Sequence, residues 1–145
     1  MAARNDPYAN YNFTVEIEGI QVAAFKEMSG MDSKIEVIDY REGGDKFFPN
    51  RKLPGKVTFS NITLKVGVTA ETTLYDWHQQ WAKADPAAAR KAVRIVLRDR
   101  AGTEKKSWKV REAWPATWTG PTFNAEAHEV AIHSLELAHE GVDLE

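Results

Sequence analysis

The chain has 145 residues, 43% of them apolar and 28% charged, with a formal net charge of −2 and no cysteine. That length suits one domain with a full core, burying about 68–70% of the surface exposed by the unfolded chain. The charge balance argues against nucleic acid as the main partner, and the lack of cysteine removes disulfides, thiol catalysis and thiolate metal sites together. No run approaches the roughly 18 apolar residues of a membrane span, and the start, MAARNDPYANYN, lacks a signal-peptide core. The expectation is therefore a chain that folds in the cytoplasm without a membrane anchor.

Tyr11, Phe13, Val15 and Ile17 alternate with Asn12, Thr14, Glu16 and Glu18, the period of a strand with one wet face. Gly19 ends it, Ile20 to Phe25 is a candidate short return strand, and Met28 to Asp32 reads as a turn. Two strand-like runs follow, Ile35 to Arg41 and Lys56 to Val66. In the second, apolar residues occupy 57 and 59 but then 62, 64 and 66, so a β-bulge is expected near Ser60-Asn61.

Between these runs, Glu42 to Gly55 is too long for a tight hairpin and too rich in Gly and Pro for a helix. It should project as an arm, reaching roughly 40 Å if fully extended. Gly43 and Gly44 bend it, and Asp45, Lys46, Arg51 and Lys52 surround Phe47-Phe48. Adjacent phenylalanines on a projecting arm call for a partner.

Beyond Val66 the period becomes helical, with Ala70, Leu74, Trp77, Trp81 and Ala84 on one stripe, Thr69 as N-cap and Pro86 past the end. Leu74, Trp77 and Trp81 should dock this helix on a sheet, leaving Asp76 and His78 in solvent. Val93, Ile95 and Leu97 mark a strand, Asp99 to Gly102 a turn, and Lys105 to Trp114 a return strand. Lys105, Ser107, Lys109 and Arg111 fall on its wet face and Trp108 and Val110 on its dry one, before Pro115 and Trp118 to Pro121 break the chain. From Thr122 to His139 a helical seam competes with alternation that slips once near His133-Ser134; the alternation is read as two strands or one bent one.

Catalytic motifs are weak. His128 and His133 are five apart rather than four, so they do not form the helical pair of a zinc protease, and no cofactor or metal site is assigned. A metal-dependent hydrolase built on the histidines stays only as a competing reading, which chelation would test. Asn50 and Val57 stand where a phosphate loop would need Gly and a hydroxyl, and no nucleophile elbow occurs. Trp108 lies on the opposite face from Lys105, Lys109 and Arg111, so stacking and charge do not converge on a nucleic acid strand.

The segments DPYANYNFTVEIEGI, MSGMDSKIEVIDYREGGD, RKLPGKVTFSNITLKVGVT, LYDWHQQW and the C-terminal run from REAWPATWTG to GVDLE together resemble the tail tube proteins of contractile phage tails. The resemblance is nearest to the inner tube proteins of phage-tail-like extracellular contractile injection systems; Met31 and the FFPN run before Arg51 depart from the pattern. It implies a mainly β, sandwich or barrel-like fold with one flanking helix and a long projecting loop. It further implies six-membered rings that stack into a hollow tube inside a contractile sheath, with strands joining across subunits. Sheath, baseplate and spike, tube-terminating proteins, and protein cargo or phage DNA are the implied partners, in a particle assembled in the cytoplasm and then released or held at the cell. A ring-forming effector carrier of the type-six-secretion kind is the alternative.

On this reading the ring-stacking loop comprises Gly43, Gly44, Asp45, Lys46, Phe47, Phe48, Arg51 and Lys52. Glu36, Thr58, Thr63, Lys65, Lys105, Lys109 and Arg111 are expected to divide between channel wall and subunit contacts.

Overall fold

The computed structural model describes residues 12–18, 25–41, 43, 51–68, 72–126 and 130–145. The described elements are β1 (Phe13–Ile17), β2 (Phe25–Ser29), β3 (Ser33–Tyr40), β4 (Arg51–Phe59), β5 (Ile62–Gly67), α1 (Thr73–Ala82), β6 (Lys91–Arg98), β7 (Glu104–Thr119), β8 (Ile132–Ala138) and β9 (Gly141–Leu144). Every strand pair is antiparallel, in one seven-stranded sheet of order β1-β6-β7-β8-β5-β2 with β9 against β7, and a separate β3-β4 pair. The result is sandwich-like, with no closed barrel among the described residues.

The sandwich is made by bending β7. Its first half lies between β6 and β9, and from Trp114 it pairs with β8 instead. At the changeover Glu112 takes φ +50°, and the register with β6 shifts between the Lys91 and Val93 pairs. A left-handed residue inserted in one strand of a pair is a bulge, which bends the strand and increases its twist. The extra residue also switches parity, so that Val110 and Ala113, three apart, both point inward and are fully buried. Pro115 was expected to break the chain, yet β7 runs through it to Thr119. A second register shift, between Pro115 and Thr117, falls beside the residue that has no N–H to donate.

The alternating strands fill the space between the sheets. Val15 and Ile17, Ile62, Leu64 and Val66, Val93 and Ile95, and Leu135 and Leu137 make one cluster with Leu74 and Trp77 of the helix. The helix is shorter than its sequence pattern, ten residues or about 15 Å. Thr72 rather than Thr69 precedes it, donating from Oγ1 to Asp76 Oδ2 at 3.1 Å, while Ala84 in the left-handed region (φ +51°) stops it before Pro86. Trp77 Nε1 and Trp81 Nε1 both donate to the Ala89 carbonyl, at 3.0 and 3.3 Å. Trp81 packs on Trp114 with Arg90 over both rings.

A second aromatic group fixes the start of the helix to the sheet. Tyr75 meets Trp118 edge-on, and Trp118 meets His133 likewise. Here the expectation that His78 is solvated fails: His78 Nδ1, Trp118 Nε1 and His133 Nε2 are buried and have no hydrogen-bond partner among the described residues. Burial holds the His133 pKa below its ordinary value, because an imidazolium there would be desolvated.

Other expectations are corrected too. Ser60-Asn61 is not a bulge but the break between β4 and β5, which belong to different sheets. Met28 and Ser29 end β2 instead of forming a turn. Thr122 to Glu126 is exposed and outside any strand, β8 begins only at Ile132, and the chain ends in a further short strand, β9. Ser107, assigned to the wet face, is buried: the last residue folds over it, with Glu145 N donating to the Ser107 carbonyl at 2.9 Å and Ser107 Oγ to Glu145 Oε2 at 3.1 Å. The expectations for Thr69, Ile20 to Ala24 and His128 lie outside the described residues.

Two outcomes follow. Trp77 is 2% exposed, so Trp77→Ala should cost about 3–5 kcal/mol in denaturant unfolding, with a smaller loss for the half-buried Trp81. His133, whose pKa is depressed in the fold, contributes stability that is complete above the ordinary histidine value of about 6.5 and is lost as pH falls through the folded value. His133→Phe, which keeps a ring against Trp118, should flatten the fall in melting temperature across that window; an unchanged slope would remove His133 as its source.

Candidate assembly surface

Strands β3 and β4 pair with each other alone, so this hairpin stands outside the sheet that carries the core. A two-stranded hairpin is marginal in water without a packed face. Yet Ile35, Val37, Ile38, Leu53 and Val57 are 44–60% exposed. The expected loop boundary is corrected here: Arg51 to Gly55 form the first half of β4, with Arg51 opposite Tyr40 and Lys52 opposite Asp39. Arg51 and Lys52 therefore belong to the paired stem. Gly43 is in a turn, and Gly44, Asp45, Lys46, Phe47 and Phe48 lie outside the described residues.

Register divides the hairpin's apolar groups between its faces. One face carries Ile35 opposite Val57 and Val37 opposite Pro54, then ends toward the tip in the Asp39–Lys52 ion pair at 3.1 Å. The other carries Lys34 and Thr58 near the root and Ile38 opposite Leu53 toward the tip. A register shift between Ile35 and Val37 leaves an extra residue in β4, and Gly55 fills it where a Cβ would press on Ile38 at 3.0 Å. Each face thus has an apolar half and a polar half, in opposite order.

The root is held tightly. Gly30 has φ +96°, and a Cβ there would collide with the Asn61 carbonyl, so only glycine lets β2 cross to β3 beside the β4–β5 break. Ser60 N donates to the Asp32 carbonyl at 3.3 Å. His139 Nδ1 accepts from Gly141 N at 3.1 Å, which puts the proton on Nε2 to donate to the Ser60 carbonyl at 2.8 Å. The Phe59 ring rests on the same imidazole.

The seven polar positions expected to share channel and contact duties fall on three surfaces. Glu36 and Thr58 are on the hairpin, where Thr58 Oγ1 meets the Lys34 carbonyl at 3.5 Å. Thr63 and Lys65 lie on the outer face of β5, with Lys65 3.5 Å from Glu27 of β2. Lys105, Lys109 and Arg111 lie on β7, where Lys105 is 3.7 Å from Asp99 and Arg111 is 2.9 Å from Asp143 of β9.

The polar face of the β1-β6-β7-β9 half is organised by a residue that alternation placed but did not single out. Arg94 bonds Glu16, Glu104 and Glu145, from three different parts of the chain. The Arg94 bond, then Ser107, hold the Glu145 carboxyl below its ordinary pKa, and the Asp99 carboxyl is lowered chiefly by the Thr103 backbone N–H. Opposite charges spread over three segments are not visible in local spacing. Among the described residues no three His, Asp or Glu side chains gather as metal ligands.

Comparison with known proteins places this architecture. Residues 9–143 match the family described as T4-like virus tail tube protein gp19. No curated protein matches the chain. Among solved structures, the anti-feeding prophage tube-terminating cap is similar at 31% identity and TM-score 0.85, covering 99% of this chain and 94% of that one. The sheath–tube complex of the PVC extracellular contractile injection system in its extended state is similar at 29% and 0.82, covering 96% and 91%. Hcp1 from Flavobacterium johnsoniae, at 12% identity and TM-score 0.53 over 91% and 93%, shares the fold. With 135 of its 145 residues inside the match, the chain belongs to the T4-like tail tube protein family.

Proposed function

We propose that this chain is an inner-tube subunit of a phage-tail-like contractile injection particle, in which six-membered rings stack into a hollow tube that sheath contraction drives through a target envelope. The observation that carries this is the β3–β4 hairpin: apolar on parts of both faces and outside the core, in a chain of the tail tube family. Such a hairpin gains its missing packing from neighbouring subunits. The role is mechanical, without bond chemistry. Sheath, baseplate and terminating proteins are its partners, as in the particles whose tube, cap and baseplate structures it resembles, and protein cargo or phage DNA occupies the lumen. Assembly occurs in the cytoplasm before release.

The sandwich supplies a wall with two polar faces turned away from each other, one bearing Thr63 and Lys65 and the other Lys109. In a tube one subunit thick, one of these looks into the channel and the other toward the sheath. The effector-carrier alternative shares the fold and differs in partners; isolated rings without stacking would favour it.

Replacing residues 38–53 by Asn-Gly across the Val37–Pro54 pair removes the hairpin tip without touching the core cluster. The variant should unfold like the parent protein and form no long tubes in negative-stain micrographs, and added salt should shorten tubes of the intact protein by screening contact charges. Normal-length tubes from the variant would exclude the hairpin as a stacking element.

Because the chain has no cysteine, single cysteines report location directly. Measured against its own rate in dispersed subunits, the reaction of Thr63→Cys and of Lys109→Cys with a bulky maleimide should fall to unequal extents in assembled tubes. Equal access in tubes would remove both positions from the channel wall.

A further inference from the structure

Two ribbons meet at a joint beside His139. β2 pairs with β5 as far as Ser29 opposite Thr63, and β3 pairs with β4 from Ser33 opposite Phe59, so the hairpin continues the β2–β5 ribbon across a gap. Among the described residues one backbone bond crosses that gap, from Ser60 N to the Asp32 carbonyl at 3.3 Å. The other described holds on the joint are made by one side chain. His139, just past the end of β8, donates from Nε2 to the Ser60 carbonyl at 2.8 Å, and the Phe59 ring packs on it with centroids 5.8 Å apart. The imidazole is itself fixed from the other side, where Nδ1 accepts from Gly141 N at 3.1 Å.

We propose that His139 is a proton-sensitive latch, whose neutral ring sets the angle between hairpin and body and whose protonation frees the hairpin to swing at this joint. The latch belongs to a single chain and works whether or not chains stack. An imidazole that donates from Nε2 has one lone pair, on Nδ1, and Gly141 N–H already occupies it. A proton can enter only there, where it turns two N–H groups toward each other and ends that bond. The imidazolium keeps at most its bond to Ser60, on a ring no longer held from the Gly141 side. Surrounding charges do not offset the loss. The Arg111 guanidinium lies so close to Gly141 that it would collide with a Cβ there, although it is bonded to Asp143 at 2.9 Å, and Lys34 adds a cation at the hairpin root, opposite Thr58. Of the neighbouring acids, Glu136 accepts from Asn61 at 2.8 Å, Glu140 is 3.7 Å from Arg90, and Asp32 meets the joint through its backbone carbonyl. The lever is long. Leu53 is six residues along β4 from Phe59, about 20 Å, so a swing of about 20° moves it by about 7 Å.

The test places spin labels at Leu53→Cys on the hairpin and Lys109→Cys on the body, both exposed, in the otherwise cysteine-free chain. Label-to-label distances are measured in dispersed subunits across the range in which histidines titrate, about pH 8 to 5, down to the lowest pH at which circular dichroism shows a folded body. We expect a narrow distribution at the upper end and one broadened by about 7 Å at the lower. His139→Gln, whose amide keeps a donor and an acceptor at every pH, should lose the response, and His139→Phe, which has neither, should be broad throughout. A distribution in the labelled parent that is the same at both ends would overturn the latch. So would a response that persists in His139→Gln, because the proton would then belong to another group, and so would a narrow distribution in His139→Phe.

Discussion

One strand holds the two halves of this molecule together, and its bend at Glu112 is the constraint on which the rest depends. β7 pairs with three strands and receives Trp81 on Trp114 and Tyr75 on Trp118. Were the strand straight, the parity that buries Val110 would turn Ala113 and Pro115 outward, and the second sheet would have no inner face. A non-glycine residue with positive φ is costly, and here the cost is offset by the core that the bend closes.

The hairpin obeys a different rule. Its strands have full backbone pairing but no apolar side to lean on, so its register is set by backbone geometry at the root and by the Gly55 bulge rather than by burial in its own chain. That separation leaves the body's core cluster complete without the hairpin, whose apolar groups stay exposed in the single chain. It also explains why the hairpin alternates which face is apolar, since no single inner face constrains it.

Much of this was legible in the sequence where burial is one-sided. The alternation of Phe13 to Ile17 and Ile62 to Val66 corresponds to strands with the expected residues inside, and Leu74, Trp77 and Trp81 face the core as the helical stripe required; in Val93 to Leu97, Val93 and Ile95 are inside, but Leu97 is half-buried and Val96 on the other face is fully buried. The errors fall where pattern and burial part. Leu53-Pro54-Gly55 read as a loop because Pro and Gly are poor strand formers, yet an edge strand at a bulge accepts both. Pro115 misled for the same reason. Ser60-Asn61 showed a change of parity, and parity alone cannot tell a bulge from a strand that leaves one sheet for another. Phe123 to Ala125 alternate as a strand would but pair with no strand among the described residues. On the candidate surface, Arg51 and Lys52 were readable as charges beside the projection, whereas their place in a paired strand was not.

The arrangement of β5 and β8 has a mechanical consequence. The hairpin root is tied to one end of this pair, through Ser60 and His139, and the helix departs from the other, past Val68. A force that enters through His139, at the end of β8, and leaves past Val68, at the opposite end of β5, pulls along the strands, so the backbone bonds from Ile62–Leu137 to Gly67–Ile132 are strained together in shear instead of opening one after another. Adjacent antiparallel strands resist sliding far better than peeling, because all the bonds of the ladder must yield at once. A subunit pushed or pulled end to end therefore meets the load with its stiffest direction.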